Sequence, residues 1–153
     1  MKAASHQLFY ITVMLAVIKI MGLSPSKELA FAAVAGLVGS TLPDIDIKFS
    51  GLSRTLGHRG IVHTVWVPSG VVISYFLLQT HRLLDLSALF FAVGWLTHLI
   101  ADSITPQGIR PFYPLYSGKI VPRGFGIFQT GSFYETLFQF INALIIAIIT
   151  AGG

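Results

Sequence analysis

Five apolar segments, separated by short polar or Pro/Gly-rich stretches, set the pattern of this chain. They cover residues 8–22, 29–42, 65–78, 88–101 and 133–150. Within each segment the apolar residues occupy nearly every position rather than one face, which is typical of helices surrounded by lipid or by other helices. The pattern predicts an all-α protein, an integral-membrane bundle of four to five helices that forms one domain over residues 1–153. A long loop at 103–132 separates the last two helices.

The first two segments are short for transmembrane helices. About 15 residues of α-helix reach about 22 Å, which is less than the ~30 Å hydrocarbon core of a bilayer. Ser26 is placed to begin the second helix, and the alanines and glycines that follow let neighbouring helices approach closely. A signal peptide is an alternative interpretation of the first segment. However, Lys19 interrupts its apolar core, and cleavage of the segment would remove His6.

The composition agrees with a membrane location. Hydrophobic residues make up 54% of the 153 residues and charged residues 10%, whereas soluble domains carry about 25% charged residues. The chain has no cysteine, so any metal ion has to be held by histidine, aspartate or glutamate. The net charge is +4, but the basic residues are too few and too dispersed for a nucleic-acid surface.

Five helices place the N-terminus, the 43–64 stretch and the 103–132 loop at one face of the membrane. Most basic residues fall there, so the positive-inside rule predicts that this face is cytoplasmic and that the C-terminus lies outside. The same face receives eight of the eleven His, Asp and Glu side chains: His6, Asp44, Asp46, His58, His63, His98, Asp102 and Glu135. Ionisable groups at membrane depth are costly and usually mark a functional site.

Two pairs carry most of the candidate metal chemistry. His98 and Asp102 are four residues apart and share one face of a helix, which suits a zinc ligand pair or a single hydrogen bond that packs two helices. Asp44 and Asp46 follow Pro43. In an extended segment they share a face, so that one binds or bridges metal ions while the other orients a histidine. The alternative is hydrogen bonding at the helix end.

The remaining histidines and Glu135 give weaker signals. His58 and His63 flank the junction between a polar loop and the third helix, which fits paired metal ligands or polar caps of that helix. His6 alone is more typical of a membrane-interface residue. Glu135 suits the start of the fifth helix.

Two arginines are candidates for binding an anionic substrate. Arg59 and Arg110 lie on the same face as the candidate ligands, and a guanidinium binds phosphate through two hydrogen bonds. Both are equally suited to anchoring the cytoplasmic face. The segment Thr105-Pro106-x-Gly108 is expected to stop the fourth helix and turn the chain.

Taken in order, these residues resemble a known family, the bacterial and archaeal YdjM-like inner-membrane proteins described as metal-dependent hydrolases. The resemblance covers nearly the whole chain and is carried by His6, Leu42-Pro43-Asp44-Ile45-Asp46, Gly57-His58-Arg59-Gly60-x-x-His63-Thr64, His98-x-x-x-Asp102-x-x-Thr105-Pro106-x-Gly108 and Glu135. It implies a helical membrane protein with a His/Asp metal site for zinc. The arrangement is more distantly similar to zinc-dependent phospholipase C enzymes, which implies phosphoester chemistry on a lipid-like substrate. Family members often have histidine directly after the second aspartate, where this chain has Ile47, so a metal site here has one ligand fewer if that histidine binds metal in the family.

These features lead to one hypothesis with residues in named roles. It is a metal-dependent hydrolase that cleaves a phosphoester of a lipid or lipid-linked molecule at the cytoplasmic face, with one to three ions, zinc first and manganese as an alternative. The expected ligands are His6, Asp44, Asp46, His58, His63, His98 and Asp102, and the expected catalytic residues are Asp46, Glu135, Arg59 and Arg110.

Other classes of function fit less well. A metal or proton transporter usually shows repeated halves and broken helices, and the sequence shows neither. A non-catalytic membrane adaptor remains an alternative in which the polar groups only fix helix packing. An intramembrane metalloprotease lacks its His-Glu-x-x-His motif here, and a serine hydrolase lacks Gly-x-Ser-x-Gly.

Overall fold

A computed structural model describes residues 1–44, 61–78, 81–119 and 128–152 of the chain. The described part is a helical bundle, which confirms the all-α prediction. Its elements are α1 Ala3–Ile20, α2 Lys27–Thr41, α3 Trp66–Leu78, α4 Arg82–Ser103 and α5 Phe133–Ala151, with short 3-10 turns at Leu42–Asp44 and Ile61–His63. Three residues of the predicted site lie outside the described residues, namely Asp46, His58 and Arg59.

Two helices begin earlier than the apolar pattern predicted. α1 begins at Ala3 rather than near residue 8, so His6 lies inside the helix and not before it. α4 begins at Arg82 rather than at residue 88, because the ring of His81 accepts a hydrogen bond from the Leu83 amide and caps the helix. Hydrophobicity misses such first turns because polar side chains, among them the buried Ser5 and His6 of α1, interrupt the apolar pattern there.

Serine side chains cap the starts of two other helices. Ser26 accepts a hydrogen bond from the Leu29 amide at 3.1 Å, which confirms the predicted start of α2. Ser132 accepts one from the Glu135 amide at 3.3 Å and begins α5. Each cap satisfies an amide that has no partner within the helix.

Small residues bring α2 and α4 into backbone contact. A Cβ atom at Gly94 would lie 2.0 Å from the carbonyl oxygen of Gly36, and one at Gly39 would lie 2.3 Å from the carbonyl oxygen of Phe91. No side chain fits at these positions, so the helices pack as closely as the Ala/Gly-rich sequence of α2 predicted. This contact fixes the register of α4, which carries His98 four residues after Gly94.

Among the described residues, three helices, α1, α4 and α5, are long and apolar enough to cross a membrane. α2 has 15 residues and α3 has 13, and at 1.5 Å per residue both fall short of the ~30 Å hydrocarbon core. α5 packs against α1 and leaves apolar side chains such as Phe140 and Ile148 more than half exposed. Exposed apolar surface of this kind fits contact with lipid.

Candidate metal centre

Four side chains from three segments meet at one end of the bundle. Asp44 lies in the 3-10 turn after α2, His63 in the 3-10 turn before α3, and His98 and Asp102 in the last turns of α4. Each offers one ligand atom, and these four atoms all lie within 4.8 Å of one another. The side chains of His63, His98 and Asp102 are fully buried. All four were predicted from the sequence as metal ligands.

The separations of the four atoms suit a shared cation. Nε2 of His63 lies 3.6 Å from both Asp44 Oδ1 and Asp102 Oδ2, and Nε2 of His98 lies 3.6 and 3.8 Å from the same two oxygens. The two Nε2 atoms are 3.4 Å apart. Ligands around tetrahedral zinc, with bonds of about 2.0–2.1 Å, are about 3.3 Å apart, whereas N–H···O hydrogen bonds are about 2.7–3.2 Å. The observed distances therefore match ligands around one ion better than direct hydrogen bonds.

A backbone carbonyl orients the His98 ring so that its Nε2 faces the four-residue cluster. Nδ1 of His98 lies 2.8 Å from the carbonyl oxygen of Ser40. A carbonyl only accepts, so Nδ1 carries the proton and donates, and Nε2 of the neutral ring keeps its lone pair toward the cluster. Ser40 is in the last turn of α2, where carbonyls lack a partner within the helix. Sequence reasoning missed Ser40 because a carbonyl contact leaves no residue-type signal.

Asp44 is held in its charged form. Burial raises its pKa, but the adjacent imidazole of His63 and the nearby rings of His98 and His6 outweigh that effect and lower the pKa to about 2. The carboxylate is therefore ionised at neutral pH, which is the state that binds a metal ion.

His6 faces the opposite side of the two carboxylates. Its Nε2 lies 3.5 Å from Asp102 Oδ1 and 3.9 Å from Asp44 Oδ2, which are the oxygens that the His63 and His98 contacts leave out. Its ring stacks on that of His98 with centroids 4.0 Å apart. The side chain is fully buried, and within the described ranges neither ring nitrogen has a hydrogen-bond partner. Its place inside α1 brings it to the cluster.

Glu135 lies apart from the four-residue group and joins α5 to α1. Its Oε1 accepts hydrogen bonds from the Lys2 amide at 2.6 Å and the Ser5 hydroxyl at 2.7 Å, and its Oε2 accepts one from the Gly131 amide at 2.6 Å. The side chain is buried. These bonds hold the first turn of α1, and therefore His6, against the start of α5. The contact with Ser5 had no signal in the sequence.

The loop after α4 turns sharply beside the cluster. α4 ends at Ser103 and Gly108 has a φ of +61°, as the Thr-Pro-x-Gly segment predicted. Farther along, the carbonyl of Pro111 accepts a hydrogen bond from the Val65 amide, which ties the loop to the segment leading into α3. Arg110 is exposed on this loop, and its predicted contact with an anionic substrate stays a prediction.

A comparison with known protein families identifies the family to which the chain is similar. The model of the family described as "YdjM inner membrane protein" matches residues 1–152, which is nearly the whole chain. No curated protein and no solved structure is significantly similar to the chain. The match agrees with the resemblance seen in the sequence and with the apolar helices.

Proposed function

We propose that this chain, which belongs to the YdjM inner membrane protein family, is a metal-dependent hydrolase that cleaves a phosphoester of a lipid or lipid-linked substrate. The observation that carries the proposal is the buried group of Asp44, His63, His98 and Asp102. Two neutral imidazoles and two carboxylates balance the charge of one divalent ion, which removes much of the cost of burying these groups at the end of an apolar bundle.

The donor set favours zinc, with manganese as an alternative. Nitrogen and carboxylate oxygen ligands without a thiolate suit borderline to hard divalent ions. A bound ion of this kind acts as a Lewis acid and lowers the pKa of water, so it supplies both charge neutralisation and a nucleophile at neutral pH. The chain supplies a fixed imidazole in His98, a second buried imidazole in His63, and the carboxylates of Asp44 and Asp102.

The position of His6 supports a second metal ion beside the first. A buried imidazole without a hydrogen-bond partner among the described residues faces the remaining oxygens of Asp44 and Asp102. His63 and His98 would then hold one ion and His6 the other, each together with Asp44 and Asp102.

The other predicted roles stay part of the proposal. Asp46 is proposed as the general base and Arg59 and Arg110 as the partners of the substrate anion. Glu135 has both carboxylate oxygens engaged by hydrogen-bond donors, which favours a positioning role over direct catalysis. The basic residues on the metal side favour a cytoplasmic active site, with the C-terminus outside.

Hydrolysis by the purified protein in detergent tests the proposal. Protein incubated with zinc or manganese should release a product from at least one member of a phospholipid and lipid-phosphate panel, and a chelator should stop the release. Asp102→Asn should lower the rate by at least 100-fold, whereas His81→Ala, which alters a histidine at the start of α4, should not change it. Metal-loaded wild type without activity on the whole panel, or an Asp102→Asn variant as active as wild type, would contradict the proposal.

A further inference from the structure

A cavity leads from the molecular surface to the metal centre. It lies between the start of α1 and the end of α2 and has a volume of about 310 Å³. His6 and Asp44 form part of its wall, together with Ala3, Gln7 and Thr41. Ala3 and Gln7 are exposed, so the cavity reaches the surface between the start of α1 and the end of α2.

Tyr10 packs α1 against α2 beyond the cavity wall. It lies one helical turn after His6 on α1, and its ring occupies the space above Gly36 of α2, where a Cβ atom would meet the Tyr10 hydroxyl. That hydroxyl donates a hydrogen bond to the carbonyl oxygen of Ala33 at 3.1 Å. α1 and α2 are thus in close contact at Tyr10, whereas the cavity lies at the end where His6 and Asp44 are found.

An apolar stripe on α2 leads to the same opening. Phe31, Val34 and Val38 are 61%, 58% and 47% exposed. With Thr41 they follow the spacing i, i+3, i+7 and i+10, which places all four on one face of the helix. The stripe runs along the outside of α2 and ends at the cavity wall.

We propose that this cavity is a lateral entry site for a membrane lipid. The phosphoester head enters between α1 and α2 toward His6 and Asp44, while an acyl chain lies along the stripe of Phe31, Val34 and Val38. The cavity volume is at the lower end of the range for small-molecule sites, about 300–1,000 Å³, so it holds a head group and leaves the chain outside. The choice of a phosphoester head rests on the proposed function.

The mouth of the cavity offers a substitution that tests this path. The Thr41 hydroxyl bonds to carbonyls of its own helix, so its replacement removes no contact to another element. Thr41→Trp places a large side chain at the opening. Leu144→Trp, on the exposed surface of α5, is the matched control.

Two readouts separate the entry site from the catalytic proposal. The first is the ratio of kcat/KM for a long-chain phospholipid to kcat/KM for a short-chain, water-soluble phosphoester with the same head group. Thr41→Trp should lower this ratio at least tenfold and Leu144→Trp should leave it unchanged. The second is the Kd of a long-chain alkylphosphonate, measured by titration calorimetry with zinc-loaded protein, which should rise at least tenfold in Thr41→Trp alone.

Each outcome bears on the proposal. If wild type binds the phosphonate without hydrolysing any substrate, and Thr41→Trp weakens that binding, the entry site stands and the hydrolase proposal fails. An unchanged ratio and an unchanged Kd in Thr41→Trp would overturn the entry site while leaving hydrolysis intact. Absence of phosphonate binding to the wild type would also overturn it.

Discussion

Replacement of Gly94 by alanine should destabilise the protein, although alanine is the better helix former. The added Cβ would lie 2.0 Å from the carbonyl oxygen and 2.8 Å from the carbonyl carbon of Gly36. Both are backbone atoms of α2, so no side-chain rotation relieves the contact. α2 and α4 would have to separate by more than about 1 Å to restore ordinary contact distances.

Two opposing effects set the size of the loss. Glycine to alanine within a helix favours folding by roughly 1 kcal/mol. Overpacking of a close contact costs roughly 1–3 kcal/mol, and the upper end applies because the clash is with backbone. We therefore expect the free energy of unfolding to fall by about 2 kcal/mol. The separation would also stretch the hydrogen bond between His98 and Ser40.

Thermal unfolding in detergent micelles measures this effect against a matched control. Gly70 lies within α3, and a Cβ there would meet nothing within 4 Å. Gly70→Ala should leave the Tm unchanged or raise it, whereas Gly94→Ala should lower it and reduce zinc binding. Equal Tm values for the two variants would refute the close approach of α2 and α4.

Three further predictions concern individual contacts. Glu135→Ala should lower the free energy of unfolding by roughly 3 kcal/mol, because three donors lose a charged acceptor; a thermal shift no larger than that of Glu28→Ala would contradict this. Ser26→Ala should cost about 1 kcal/mol through the lost cap, measured against Ser24→Ala in the same turn, and equal Tm values would argue against the cap. In metal-free protein the lowered pKa of Asp44 should contribute stability above about pH 4 that is lost as the pH falls toward 2. Asp44→Asn should lose less of its free energy of unfolding over that range. Identical curves of unfolding free energy against pH for the two proteins would contradict the assigned ionisation.

The apolar pattern predicts the helices better than their ends. All five helices were expected from the sequence because the segments are long and nearly unbroken. The first turns of α1 and α4 were missed because they are polar, and the cap on α4 comes from His81, a residue type with little capping preference. Close packing of α2 on a neighbouring helix was expected from composition, but the choice of α4 and the pairing of Gly36 with Gly94 depend on three-dimensional register.

The candidate site was predictable as a set of residue types at one face, and not as a geometry. The number of predicted membrane crossings places His63, His98 and Asp102 at the same face of the membrane. The four-residue spacing within α4 aligns His98 with Asp102. The sequence carries no signal for the stacking of His6 on His98 or for the carbonyl of Ser40 that orients the ring. These contacts arise because the start of α1 lies beside the ends of α2 and α4, which only the packed bundle reveals.

Metal content is the most direct test of the central claim that Asp44, His63, His98 and Asp102 hold a divalent ion. Elemental analysis of detergent-purified protein, after incubation with zinc or manganese and removal of free ions, should find at least about one equivalent in wild type and in His81→Ala. His98→Ala should retain essentially none while keeping its helical circular dichroism. Wild type without bound metal after incubation, or a His98→Ala variant that retains a full equivalent, would contradict the account.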